Sequence, residues 1–68
     1  MDGFNIAARR VDAVVELALQ EGQRAGLDPR RVLWVVQVAR VELARGGSAW
    51  RAIKVAGEYA QRLAGEAA

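Results

Sequence analysis

Side chains that commonly carry out catalysis are scarce in this sequence of 68 residues. Histidine and cysteine are both missing, which removes the commonest general base, the commonest metal ligand and the thiolate nucleophile. Ser48 is the single serine, threonine is absent, and no base of the usual kind could activate the hydroxyl. The eight acidic residues are scattered along the chain, whereas a carboxylate metal site requires a cluster. We therefore expect no catalytic residues, no cofactor and no metal.

Basic side chains are concentrated in the middle of the chain. Residues 24–54 hold seven basic and two acidic side chains, while the segments on either side are mildly acidic. Such a cluster is the electrostatic footprint expected of a nucleic-acid binder, because lysine and arginine neutralise phosphates. The candidate nucleic-acid contacts are Arg30, Arg31, Arg40, Arg45, Ser48, Arg51 and Lys54. A solvated basic face in a chain with nine arginines and one lysine explains the same pattern.

Residues 43–54, LARGGSAWRAIK, resemble the helix-turn-helix of DNA-binding repressors. In that family a recognition helix follows a turn that contains glycine and enters the major groove. If Gly47 takes the place of the turn glycine, the resemblance implies an apolar core position at Ile53. The residues that it would direct toward DNA are Ser48, Arg51 and Lys54. The chain departs from the family pattern at two positions. The family prefers a small residue at the position of Leu43 and an apolar residue at the position of Ser48.

A second short stretch is similar to lytic transglycosylases. In that family the sequence found here as Gly26 to Pro29 leads into an apolar helix that carries the catalytic glutamate, at the position of Glu42. The chain has no room for the fold that surrounds the sugar cleft, or for the family's further motifs. Glycoside cleavage also usually requires a second carboxylate at a defined distance. We therefore interpret Glu42 as a surface charge near Arg45.

Turn-forming residues divide the chain into three segments of helical character. Glycine, proline, aspartate and serine cluster internally only at 22–29 and 46–48. Asp28 followed by Pro29 is typical of a helix start, and Ser48 can cap a helix in the same way. A left-handed glycine is expected after each of the first two helices, at Gly22 or Gly26 and at Gly46 or Gly47. The predicted helices cover residues 4–22, 29–45 and 49–64, and no strand pattern appears.

The first and third segments each show one apolar face at about 100° per residue. In the first segment this face consists of Phe4, Ala7, Ala8, Val11, Val14, Val15, Ala18 and Leu19. In the third it consists of Ala49, Ala52, Ile53, Val55, Ala56, Tyr59, Ala60 and Leu63. Both patterns are typical of a helix that turns one side toward a core.

The second segment differs because it carries apolar residues on two faces. A main stripe consists of Val32, Val35, Val36, Ala39 and Leu43. A second stripe, here called the back stripe, consists of Trp34, Val38 and Val41 and lies about 150° away. A domain of this size cannot easily bury both, so the back stripe is predicted to be a protein interface. The alternative is that the middle helix touches both neighbours, with Trp34 packed under the 22–27 connection.

These patterns predict an all-α fold in a single domain, a small three-helix bundle completed by oligomerisation. The expected function is a non-enzymatic protein-protein interaction or regulatory role, with self-association through the back stripe. The alternative is a DNA-binding regulator with a divergent helix-turn-helix in the second and third helices. The two hypotheses share a basic central surface.

The partners expected are a second copy or another protein, and the basic surroundings favour an acidic one. Nucleic acid is the alternative partner, and the sequence indicates neither a membrane nor a small-molecule substrate. The longest apolar run, residues 32–36, is far shorter than the roughly 20 residues that cross a bilayer. The N-terminal residues do not have the pattern of a signal peptide, which predicts a cytoplasmic location.

Overall fold

The chain folds into three α-helices joined by two four-residue turns. The computed structural model describes the backbone of residues 2–67 and the side chains of residues 9–66. Helix α1 spans Asp2–Arg24, α2 spans Pro29–Ala44 and α3 spans Ala49–Ala67. Each helix packs against the other two, in a bundle of 46 × 19 × 15 Å. The predicted all-α bundle of three helices is confirmed, and α1 and α3 are longer than predicted.

A left-handed glycine follows each of the first two helices. The structure selects Gly26, with a φ of 78°, and Gly46, with a φ of 90°, from the two candidates at each position. After α2, the N–H of Gly46 donates to the carbonyl of Leu43 and that of Gly47 to the carbonyl of Glu42. This Schellman pattern satisfies carbonyls that would otherwise lack a partner at the helix end. The same pattern of hydrogen bonds ends α1.

The two remaining candidate glycines permit close approach. A Cβ on Gly22 would lie 3.2 Å from Cγ2 of Val32, so the absence of a side chain lets α1 approach α2. A Cβ on Gly47 would lie 2.8 Å from the backbone oxygen of Glu42, a distance that no relaxed side chain accepts. Gly47 therefore requires glycine for a steric reason, whereas a side chain at Gly22 would force Val32 to shift by a few tenths of an ångström.

Asp28 caps α2 as the sequence predicts. Its Oδ1 accepts a hydrogen bond of 2.9 Å from the backbone N–H of Arg31, and Pro29 is the first helical residue. This backbone hydrogen bond is the largest cause of the lowered pKa of the Asp28 carboxyl, and the positive charges of Arg31 and Arg30 also lower it. Partial desolvation acts in the opposite direction and is outweighed.

The core is built from small side chains. Ten described hydrophobic residues are buried: Val14, Ala18, Val32, Val35, Val36, Ala39, Ala52, Ala56, Ala60 and Leu63. They include the main stripe of α2 except Leu43, which is only partly buried and packs against this core. Among the described side chains of α1, Val14 is the first that is buried, and Val11 is exposed. The side chains of Phe4, Ala7 and Ala8 lie outside the described residues.

Alanine at Gly46 should destabilise the protein. The left-handed backbone costs a residue with a Cβ about 1–2 kcal/mol, so we expect Gly46→Ala to lower the free energy of unfolding by that amount. Gly65 is the matched control, because it is exposed within α3 and a Cβ there would meet nothing within 4 Å. Gly65→Ala should raise the free energy of unfolding by up to about 1 kcal/mol. Equal effects in urea unfolding would contradict this assignment.

The charge of Asp28 should stabilise the fold only above its pKa. A carboxyl whose pKa is lower in the folded state stabilises the protein above its unfolded value, here 3.8. This contribution disappears as the pH falls through the lowered folded value. Asp28→Asn keeps a capping oxygen but removes the charge, so it should be less stable than wild type at neutral pH. Urea unfolding should show the difference shrinking once the pH falls below 3.8 and disappearing below the lowered folded pKa, and a difference that does not change with pH would contradict the assignment.

Candidate functional site

The back stripe remains at the surface after the three helices have packed. Trp34 is 50% exposed and Val41 is 53% exposed, while Val38 is partly buried. The reason is the geometry of α2, since the main stripe on the other side of the helix occupies the core. The bundle thus covers one apolar face of α2 and leaves most of the other in contact with solvent.

The back stripe borders a groove of about 360 Å³ between α2 and α3. This groove is here called the α2–α3 groove. It is lined by Trp34, Gln37, Val38, Val41, Glu42, Arg45, Val55 and Tyr59. Val55 and Tyr59 lie one helical turn apart and form the α3 wall. Valines at positions 38, 41 and 55 extend less far than the two aromatic side chains, so a depression forms between them. Aromatic and aliphatic side chains with few polar groups are typical of a binding groove.

Leu33, rather than Trp34, lies beside the connection between α1 and α2. It is 60% exposed and borders a second groove of about 290 Å³. The other residues of this groove are Leu19, Gln23, Leu27, Pro29 and Val32. Trp34 borders the groove on the α3 side of the helix instead. The alternative in which Trp34 packs under the 22–27 connection therefore does not describe this structure.

Glu42, which lines the α2–α3 groove near the second turn, forms an ion pair with Arg51. The Nε of Arg51 donates a hydrogen bond of 3.2 Å to Oε2 of Glu42, whose side chain is only 16% exposed. Glu42 is the single acidic residue of α2, and its charge is offset by Arg51 rather than by Arg45. Arg45 borders the same groove and is exposed. The rim of the groove at this end is therefore positively charged.

Four of the candidate nucleic-acid contacts make contacts within the chain. Arg31 Nη1 lies 2.8 Å from Asp28 Oδ2, and Arg51 pairs with Glu42 as described above. Lys54 Nζ lies 5.1 Å from the ring centroid of Trp50, a cation–π contact across one helical turn. Ser48 Oγ accepts a hydrogen bond of 3.0 Å from the backbone N–H of Arg51 and so caps α3. These contacts compete with binding to phosphate.

The other three candidates, Arg30, Arg40 and Arg45, are exposed along α2. Arg30 and Arg31 lie in its first turn, whereas Arg45 follows its last residue. Fifteen residues separate Arg30 from Arg45, which corresponds to about 22 Å along the helix axis. Arg45, Ser48 and Arg51 therefore lie at or next to the second turn, whereas Arg30 and Arg31 lie at the opposite end of α2.

Part of the candidate site is not evident from the sequence, where Val55 and Tyr59 fall on the core-facing side of α3 and Gln37 does not stand out. In the structure Val55 and Tyr59 are both partly buried, and Tyr59 packs against the core as well as lining the groove. Their spacing of four residues was the available signal, but it cannot show whether an edge position faces a neighbouring helix or a groove. Trp50, which the resemblance to repressors placed near the start of the third helix, is 70% exposed and lies outside this groove.

Within the part of the chain that the structure describes, no group of three or more acidic side chains could hold a metal ion. No helix among the described residues has both the length and the hydropathy needed to cross a membrane. Comparisons of the chain with protein-family models, with curated proteins and with solved structures find no match.

The role of Ser48 as a helix cap leads to a stability prediction. Ser48→Ala removes the oxygen that accepts the N–H of Arg51, and we expect it to lower the free energy of unfolding by about 1 kcal/mol. Ser48→Asp keeps a capping oxygen and should leave the stability near that of wild type. Thermal unfolding of both variants measures the difference. A stable Ser48→Ala variant would show that the hydroxyl does not act as a cap.

Proposed function

We propose that this protein is a small non-enzymatic interaction protein that self-associates through the back stripe. The observation that carries the proposal is the exposure of Trp34 and Val41 beside an apolar groove, after all three helices have packed together. Exposed apolar patches of this kind are typical of protein interfaces, and tryptophan is enriched at their energetic centres. A regulatory role and a cytoplasmic location remain predictions from the sequence.

The energy available from covering Trp34 is large for a domain of this size. A tryptophan side chain buries up to about 250 Å², and half of that surface remains exposed on Trp34. At about 25 cal/mol per Å², covering it contributes roughly 2 to 3 kcal/mol per copy. A symmetric contact between two copies uses the same patch twice and doubles this gain. Self-association is thus the simplest use of this surface.

The alternative function, a DNA-binding regulator, has less support from the geometry. Four of the seven candidate contacts are engaged within the chain, and the arginines at the two ends of α2 lie about 22 Å apart. DNA binding would also leave the apolar back stripe without an explanation.

Replacement of Trp34 should abolish self-association. We expect Trp34→Arg to weaken association by at least about 100-fold, because a hot-spot side chain is lost from both copies. Leu33→Arg is the matched control, since it introduces the same charge at the preceding position of α2, which lies outside the α2–α3 groove. It should associate like wild type. Sedimentation equilibrium measures the dissociation constants, and circular dichroism checks that both variants remain helical.

Two results would contradict the proposal. One is a wild-type protein that stays monomeric at every concentration, and the other is an equal loss of association in the two variants. Titration with random duplex DNA tests the alternative function. Binding that weakens steeply between low and physiological salt would support the DNA-binding regulator, whereas no binding at low salt would exclude it.

A further inference from the structure

The exposed face of α2 is symmetric about its middle. At 100° per residue, six side chains share an arc about 100° wide: Arg30, Trp34, Gln37, Val38, Val41 and Arg45. Trp34 and Val41 lie equally far from the midpoint between Gln37 and Val38, and so do the two arginines. A face with this pattern matches itself when a second helix runs in the opposite direction.

We infer that two copies pair through α2 in antiparallel orientation, about a two-fold axis between Gln37 and Val38. Trp34 of each copy then lies against Val41 of the other. This inference rests on the proposed self-association and specifies its geometry. The occupant of the α2–α3 groove is thus the α2 helix of a second copy.

Side-chain size favours the antiparallel orientation over the parallel one. Positions 30, 34, 38, 41 and 45 are spaced by three or four residues, which is typical of the seam between two helices that cross at a shallow angle. In a parallel pair Trp34 would meet Trp34 of the other copy. The small Val38 and Val41 would likewise each meet the same valine of the other copy. In the antiparallel pair each Trp34 instead meets the smaller Val41 of the other copy, so the two surfaces interdigitate where the indole rings lie.

A stable interface needs more area than α2 alone provides, so the second copy must also contact the groove. An interface of standard size covers about 800 Å² per partner, roughly one sixth of the 4941 Å² surface of this chain. The outward half of α2, treated as a cylinder about 24 Å long and 11 Å wide, provides only about 400 Å². The second copy must therefore also contact the α3 wall, which consists of Val55 and Tyr59.

This geometry brings like charges together at both ends of the paired helices. Arg30 of one copy lies opposite Arg45 of the other, and the nearest acid on α2, Glu42, is held by Arg51. The apolar seam therefore stabilises the dimer while two arginine pairs oppose it. Because dissolved salt screens the repulsion, association of the wild-type protein should become tighter as the salt concentration rises.

Charge reversal at Arg30 provides the test. Glutamate in the first turn of a helix is favoured by the helix dipole, so Arg30→Glu should fold. In an antiparallel dimer Glu at position 30 lies opposite Arg45, and we expect association to be about tenfold tighter at low salt. Its salt dependence should reverse, with association weakening as salt rises. The double variant Arg30→Glu/Arg45→Glu restores like charges and should lose the gain.

Arg40→Glu is the matched control, because Arg40 is exposed on the same helix but lies outside the arc of the seam. It should not tighten association at low salt. A parallel dimer would place Glu opposite Glu in Arg30→Glu, so a dimer that this variant does not tighten overturns the antiparallel geometry but not self-association. A wild-type protein that is monomeric at every salt concentration overturns both proposals.

Discussion

Close packing of small side chains around α2 is the constraint on which the rest of this structure depends. Alanines at positions 52, 56 and 60 of α3 and at position 39 of α2 are buried, and Gly22 lets α1 approach Val32. A core of alanine and valine brings the helices close together but has no space for an indole ring. Both tryptophans of this chain consequently remain exposed. The exposed apolar surface of α2 is thus a consequence of how the core is packed.

The second turn shows how structural requirements can resemble a functional motif. Gly46 adopts the left-handed backbone, Gly47 admits the backbone of Glu42, and Ser48 caps the next helix. Arg51 then joins the turn to α2 through its ion pair with Glu42. A glycine-containing turn followed by a polar cap and a basic residue is what the resemblance to repressors rested on. In this chain each of those residues has a structural role that accounts for its place in the turn.

The polar residues of α2, like its apolar ones, differ in their exposure. The Glu42 side chain is mostly buried, and its charge is paired with Arg51 of α3, while Arg30, Arg40 and Arg45 remain exposed. The outward face of α2 is therefore both apolar and basic. Hydrophobic contact would supply most of the affinity of such a face, and its charges would decide which partner and which orientation are accepted.

The sequence alone determined the three helices, the N-terminal caps of α2 and α3 and the two faces of α2, because helical periodicity and turn chemistry are local properties of the chain. It narrowed each turn glycine to two candidates and identified the back stripe. Only the tertiary structure selected Gly26 and Gly46, joined Arg51 to Glu42, and placed Val55 and Tyr59 beside Trp34. These outcomes depend on the distance and rotation of one helix relative to another, which the packing of the whole core sets and no local pattern contains.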